Sequence, residues 1–314
     1  MNLLGIDIGG TNTKVILLSS GGEVIRRGEI STIASGGPAE LATRLSALVS
    51  DWPESGGAGI SVAGLMNLDR AVVQAPNLRE FVGADLAGAF DRFGVLALEN
   101  DVNCAIYGEW KVGAGRGTRH LAMLSLGTGV GGGLVIDGEL YRGAGGIGAE
   151  LGHMTLDPDG PECPCGLRGH VESWLGARGF VDAGRKYGSE RPDSPLAAAI
   201  RQGEEPDARL LARLAGEGCA AAREAIADRG RWLGIACANL VAVLQPELIL
   251  VAGGSARCGE LLLGPALAEY ERRCMDAVRG TVDLGLAGLG VESAAIGAAL
   301  LARANLDADR TRTR

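Results

Sequence analysis

The sequence predicts an α/β protein built as two domains around a central cleft, and three observations carry that expectation. Its 314 residues are too many for one ordinary compact core. Short apolar runs of strand length are interspersed with stretches of helical periodicity. A strand–DIGGTNTK–strand unit near the start is echoed by a strand–LGTGVGGG–strand unit in the middle, so the chain reads as two similar halves, each with a glycine turn.

Taken in order, residues 2–8 (NLLGIDI) form a short apolar strand running into Gly9-Gly10-Thr11. Residues 13–19 give a second strand and 22–33 a third, an antiparallel meander. Pro38 opens a helix over 38–51 with Leu41, Leu45, Leu48 and Val49 on one face. Residues 58–63 and 95–98 are buried strands, and a helix over 101–113 opens just after the latter. Strands 120–126 and 133–137 flank the second glycine turn. Helical patterns dominate 207–245, the strand 247–252 precedes Gly253-Gly254, and a last helix covers 293–304. The polar tail 305–314 is expected to fray. The expected division is a small domain of 1–104 plus 293–314 and a large domain of 105–292.

Composition narrows the function. Hydrophobic residues at 46% and charged residues at 22% suit a folded chain and not a disordered one. Glycine, at 51 residues, is about double its usual ~7% share, and its clustering points to tight turns and to backbone lying close against a ligand. With 30 basic and 38 acidic residues the formal charge is −8, a surface that repels nucleic acid and anionic membrane. A phosphate-bearing ligand then needs a local device: backbone N–H groups, a lysine or a cation. No apolar run reaches the ~20 residues of a membrane span, and Met1–Gly10 shows no export signal. Seven cysteines, an odd and mostly scattered set, fit a reduced cytoplasm better than a disulfide framework.

The first turn reads Asp7-x-Gly9-Gly10-Thr11-x-Thr13-Lys14. Its glycines let the backbone aim N–H groups at phosphate oxygens, and Thr11 and Thr13 offer hydroxyl donors. Asp7, at the strand end, is placed to hold Mg²⁺ directly or through water. An ordinary glycine hairpin would not call for an aspartate, two threonines and a lysine together. The order is neither that of a P-loop nor that of a dinucleotide-binding fingerprint. The second turn, with Gly127, Thr128, Gly129 and Gly131, leaves almost no side chains between backbone and a triphosphate. Gly253-Gly254-Ser255 could support the adenosine or be a plain strand-to-helix turn.

Glu99-Asn100-Asp101-Val102-Asn103 follows the strand 95–98 and opens a helix. A phosphoryl transferase needs one carboxylate within reach of the attacking hydroxyl, and Asp101 suits that task. The alternative is that Asn100 or Asp101 merely caps the helix. Further on come Glu150-x-x-His153 and Cys163-x-Cys165-Gly166-x-x-Gly169-His170-x-Glu172. Two of the chain's three histidines fall here beside its only closely spaced cysteines, a set that fits a closed tetrahedral Zn²⁺ site. A hairpin with reduced cysteines and a sugar-contacting histidine is the other reading. Glu150 and Glu172 could back the metal ligands or accept sugar hydroxyls directly.

These motifs, in this order and over nearly the whole length, resemble the ROK family of sugar kinases and repressors, in the actin/hexokinase superfamily. DIGGTNTK, ENDVN, LGTGVGGG, GAELGH and CPCGLRGHVE appear in the expected order; the glycine turns alone mark only the superfamily, while the GH and CxCGxxG loop is far more specific. The resemblance implies two actin/hexokinase-like (ribonuclease H-like) domains, Asp101 as base, ATP with Mg²⁺, and a structural zinc. It implies a sugar pocket of Gly64, Asn77, Asn100, Asp101, Glu150, His153 and Glu172, and a homodimer or homotetramer. The loop departs from the family pattern CxCGxxGCxE in placing His170 at the third cysteine; imidazole ligates zinc, so His153, Cys163, Cys165 and His170 remain a candidate set. A repressor is not expected, since the first turn begins at Asp7 with no DNA-binding helix pair before it. A silent sugar-binding protein would need damaged turns or a missing base. Glucose, phosphorylated at its 6-hydroxyl, is the expected acceptor, with N-acetylmannosamine, N-acetylglucosamine, fructose or a broad hexose range as alternatives.

Overall fold

The structure is a computed structural model describing residues 1–33 and 36–312. It comprises two compact units, Met1–Gly117 with Glu139–Ala149 and Gly288–Arg314, and Thr118–Gly138 with Glu150–Ala287. Each is an α/β unit, as expected.

The first unit is built on β1 (Leu3–Ile8), β2 (Asn12–Leu18), β3 (Val24–Ser31), β4 (Ala58–Val62) and β5 (Val95–Asn100), in the order β3-β2-β1-β4-β5. The meander β1-β2-β3 is antiparallel, and β4 and β5 continue the sheet in parallel. β4 is buried at every residue, which is why its sequence reads as one apolar run without alternation. On one face α1 (Gly37–Leu48), opened by Pro38, buries Leu41 and Leu45 with Ile6, Ile8, Val15 and Leu17, about 2 kcal/mol for each leucine. On the other face runs the C-terminal helix (Ser293–Arg312). It approaches so closely that a Cβ at Gly5 or Gly59 would strike the carbonyl of Ala295 or Ala298.

The helix α2 (Asp101–Val112) packs against the C-terminal helix, where a Cβ at Gly297 would strike the Cys104 carbonyl. That contact keeps α2 with the first unit, which therefore runs past the expected boundary at residue 104, to Gly117. The C-terminal helix continues to Arg312 through most of the tail expected to fray; residues 313–314 lie outside the described residues.

The second unit contains β6 (Leu121–Leu126), β7 (Val130–Ile136), β8 (Leu248–Ala252) and β9 (Asp283–Leu286) in the order β7-β6-β8-β9. β6 and β7 are antiparallel, and β6, β8 and β9 parallel, which repeats the arrangement of β2-β1-β4-β5. The echo between the two glycine turns is thus an echo of sheet topology. Its helices are α3 (Val171–Leu175), α4 (Ala177–Glu190), α5 (Pro195–Arg201), α6 (Ala208–Gly216), α7 (Ala220–Leu244) and α8 (Glu260–Arg273). The helical stretch 207–245 is broken between α6 and α7 at Gly218, whose φ of +95° ends the first helix in the left-handed region. No helix among the described residues is long and apolar enough to cross a membrane.

Candidate active site

In the first unit, Gly9, Gly10 and Thr11 form the turn between β1 and β2. The Gly9 N–H donates to the Asn12 carbonyl at 3.1 Å. A Cβ at Gly10 would lie 2.6 Å from Cβ of Asn77, so glycine is what lets these two candidate residues stand side by side. Asp7 sits opposite Lys14 in the β1–β2 register and accepts a 2.8 Å hydrogen bond from the Ser61 hydroxyl. Burial pushes its carboxyl above the ordinary range, while the Ser61 bond and the Lys14 charge pull it back. Lys14 Nζ donates to the Val291 carbonyl at 3.2 Å.

Thr13 departs from its expected role. It is fully buried, and its hydroxyl lies 3.0 Å from that of Thr32, which itself donates to the Gly9 carbonyl at 2.6 Å. With the Thr32 proton committed, Thr13 is the donor between the two hydroxyls. Strand alternation turns it inward, and it braces the glycine turn instead of offering a proton to phosphate.

At the end of β5 the structure decides which residue caps α2. Asn100 Oδ1 accepts from the N–H groups of Val102 (2.9 Å) and Asn103 (3.0 Å), the arrangement of an N-cap. Its Nδ2 donates to the Gly64 carbonyl at 3.0 Å and to Asp101 Oδ1 at 2.9 Å. Gly64, Asn100 and Asp101 are therefore brought together, with Asp101 in the first turn of α2, where the helix dipole favours a carboxylate. Just before them, buried Glu99 accepts from the Asn100 N–H and from Asn103 Nδ2, both at 3.0 Å, and from Arg142 Nε at 2.5 Å. Sequence reasoning missed this role of Glu99 and missed Arg142 altogether. No local pattern links two residues so far apart in the chain.

In the second unit the turn proper is Gly127–Gly129, closed by a 2.9 Å bond from the Gly127 N–H to the Gly129 carbonyl. Gly131 is not part of it: it lies in β7, paired with Ser125. The Val130 N–H donates to Glu172 Oε2 at 2.9 Å, and the missing Cβ of Gly129 leaves the space that this carboxylate occupies. Gly253, at φ +88°, comes against the backbone of Leu126. Gly127, Thr128, Gly254 and Ser255 line a cavity of about 270 Å³ together with Arg209 and Arg257, two cations that the sequence reading did not single out.

His153, Cys163, Cys165 and His170 converge, with their ligand atoms all within 4.8 Å of one another. Cys165 Sγ lies 3.3 Å from His170 Nδ1, and Cys163 Sγ lies 3.8 Å from His153 Nδ1. Two thiols and two imidazoles at this spacing fit a tetrahedral zinc site, with His170 standing where the family pattern has a cysteine. The knuckle turns at Gly166 (φ +91°), whose N–H donates to the Cys163 carbonyl at 2.9 Å. Without a cation, burial pushes the Cys163 thiol up to about 12. Cys163 Sγ also donates to Glu172 Oε1 at 3.7 Å, so Glu172 touches the knuckle with one oxygen and the glycine turn with the other. Burial raises the carboxyl of Glu150; the nearby His153 opposes that shift and Glu172 adds to it.

The ROK family pattern matches residues 3–305. The chain belongs to the ROK family. It is 34% identical over 312 residues to a glucokinase of Thermotoga maritima, covering 95% of this chain and 96% of that one. It is 32% identical over 309 residues to an N-acetylmannosamine kinase of Shigella flexneri, covering 96% and 99%. Among solved structures, a ROK family glucokinase from Streptomyces griseus in complex with glucose and AMPPNP superposes with a TM-score of 0.83 at 29% identity, covering 97% of this chain and all of that one. The ROK resemblance read from the motifs, and the fold it implied, hold.

Proposed function

We propose that this ROK protein is an ATP-dependent glucokinase that phosphorylates the 6-hydroxyl of glucose. The observation that carries the reading is the Gly64–Asn100–Asp101 arrangement: Asn100 caps α2 and its amide orients the Asp101 carboxylate. Asp101 accepts the hydroxyl proton as the sugar oxygen bonds to the γ-phosphorus and the bond to the bridging oxygen of ADP breaks. Sugar hydroxyls are assigned to Gly64, Asn77, Asn100 and Asp101 in the first unit and to Glu150, His153 and Glu172 in the second. Phosphate oxygens are assigned to the turn amides of Gly9, Gly10 and Thr11 with Lys14, and to those of Gly127, Thr128 and Gly129. The cavity lined by Gly254 and Ser255, next to Gly253, is assigned to the adenosine.

Asp7, an oxygen donor held by Ser61, would hold Mg²⁺, which supplies neutralising charge at the phosphates. His153, Cys163, Cys165 and His170 would hold a structural zinc that fixes the loop carrying His153. A reducing cytoplasm keeps those thiols available for it.

The second reading, an N-acetylmannosamine kinase, is favoured only by the 32% identity to such an enzyme. The test is sugar-dependent ADP release with Mg²⁺ across glucose, mannose, fructose and the two N-acetylhexosamines. Glucose should show the highest kcat/KM. An acetylated sugar or fructose ahead by tenfold, about 1.4 kcal/mol of transition-state binding, replaces glucose as substrate. No ADP release with any of them overturns the kinase reading.

A further inference from the structure

We infer that Arg142 is a positioning residue for Asp101, acting through the buried carboxylate of Glu99; the inference rests on the kinase reading above. Arg142 lies in Glu139–Ala149, a segment of the first unit separate in sequence from β5 and α2. Its Nε donates to Glu99 Oε2 at 2.5 Å, with the Glu99 side chain 10% exposed and that of Arg142 39% exposed. The other oxygen, Oε1, is held by the Asn100 N–H and by Asn103 Nδ2, both at 3.0 Å. The Asn100 amide in turn donates to Asp101 Oδ1 at 2.9 Å. An unbroken chain of polar contacts thus runs from Arg142 through Glu99 and Asn100 to the base.

A carboxylate engaged on both oxygens, one of them by a guanidinium, cannot rotate without losing charge-assisted bonds. Removing Arg142 leaves a buried carboxylate without its countercharge, and relief is close at hand. Glu99 borders a cavity of about 290 Å³ that also holds Asn67, Arg70 and Asn305. Swinging into it would pull Oε1 off the Asn100 N–H and release the turn that aims Asp101. Misplacement of about 1 Å at a reacting group costs on the order of 100-fold in rate. Arg142 is assigned to neither sugar nor nucleotide, so its loss should act on turnover and not on nucleotide binding.

The experiment compares wild type, R142M, R142K, E99Q and the R142M/E99Q double variant by ADP release, with thermal melting to check folding. R142M should lose on the order of 10–100-fold in kcat with KM for ATP within about twofold of wild type. R142K, which keeps a charge and a donor, should recover most of that loss. E99Q keeps the acceptor for Asn100 but removes the charge, so adding R142M to it should change kcat by no more than about twofold. R142M turning over within twofold of wild type overturns the inference, as does R142M raising KM for ATP with no rescue by lysine. If R142M does not fold, the double variant decides, and a further tenfold loss relative to E99Q counts against the inference. A wild type without sugar-dependent turnover sinks the kinase reading itself; a normal wild type with an indifferent R142M sinks only this step.

Discussion

Asn100 does two jobs with two atoms, and substitution can separate them. Its Oδ1 caps α2 through the N–H groups of Val102 and Asn103, while its Nδ2 binds the Gly64 carbonyl and Asp101. N100A loses both: about 1 kcal/mol for the cap and about 1 kcal/mol for the amide bond to Gly64. N100S keeps an acceptor for the cap and loses only the amide, so it should destabilise by about half as much. N100D also keeps the cap, and its charge gains about 0.3–1 kcal/mol from the helix dipole. That charge would, however, stand beside Asp101, where two carboxylates about 4 Å apart repel by about 4 kcal/mol at an effective dielectric constant of 20. Repulsion exceeds the dipole gain, so one carboxyl must take up a proton or the turn must open. The new carboxylate is held ionised by the N–H groups of Val102 and Asn103, so the proton goes to Asp101, and either outcome removes the base. Thermal melts should therefore rank N100D lowest, N100A next and N100S highest of the three, while ADP release at saturating glucose and ATP should rank N100D below N100S, by about tenfold or more. N100D turning over within threefold of wild type would refute the reasoning, because a like charge beside a catalytic carboxylate cannot be silent.

Other perturbations follow from the same geometry. D101N should leave glucose binding by calorimetry largely intact and lower kcat by roughly 10²–10⁴-fold; near-normal turnover excludes Asp101 as the base. Replacing Cys163 and Cys165 together by serine should abolish zinc measured by mass spectrometry of the purified protein, and zinc retained at wild-type stoichiometry removes the assignment. T13V should cost about 1 kcal/mol in a denaturant titration while KM for ATP stays unchanged, since the hydroxyl bonds to Thr32 and not to a ligand. Because burial raises the folded-state pKa of Asp7, keeping it ionised costs stability in full above that pKa, and the cost fades as pH falls towards the ordinary carboxyl range. Metal-free D7N should thus melt above metal-free wild type at pH 7.5, with the gap closing towards pH 4; a gap independent of pH contradicts the burial argument.

The strands were legible because burial writes itself into them: β1, β4, β6 and β8 are apolar runs, and the meander is punctuated by Gly21-Gly22. β9 was not, since its four residues DLGL carry too little pattern and owe their place to pairing with β8. The His/Cys cluster was legible because its side chains crowd into a short stretch of chain, and the structure adds the convergence of all four. Thr13 was misread because a turn motif lists residue types without saying which way each one points. Arg142 could not be found at all, since its meaning depends on a carboxylate in a distant strand.

The glycine excess was read as tight turns and backbone laid against a ligand, and the structure shows a further cause. Gly9, Gly10, Gly127 and Gly129 do sit in the turns, but Gly5, Gly59, Gly230, Gly234 and Gly297 are where a helix backbone presses against a strand or another helix. Composition cannot separate the two uses, because both ask only for a missing Cβ. In the first sheet the two uses meet. Gly5 pairs with Gly59 in the parallel register of β1 and β4, and two residues on, Asp7 pairs with Ser61. With side chains alternating along each strand, the four positions share the face on which the C-terminal helix lies. The strand pairing that sets the two glycines side by side under the helix thus also sets, one pleat further along, Ser61 beside Asp7. A side chain added at Gly5 or Gly59 to strengthen the strand would therefore have to lift the helix off the face that Asp7 and Ser61 share.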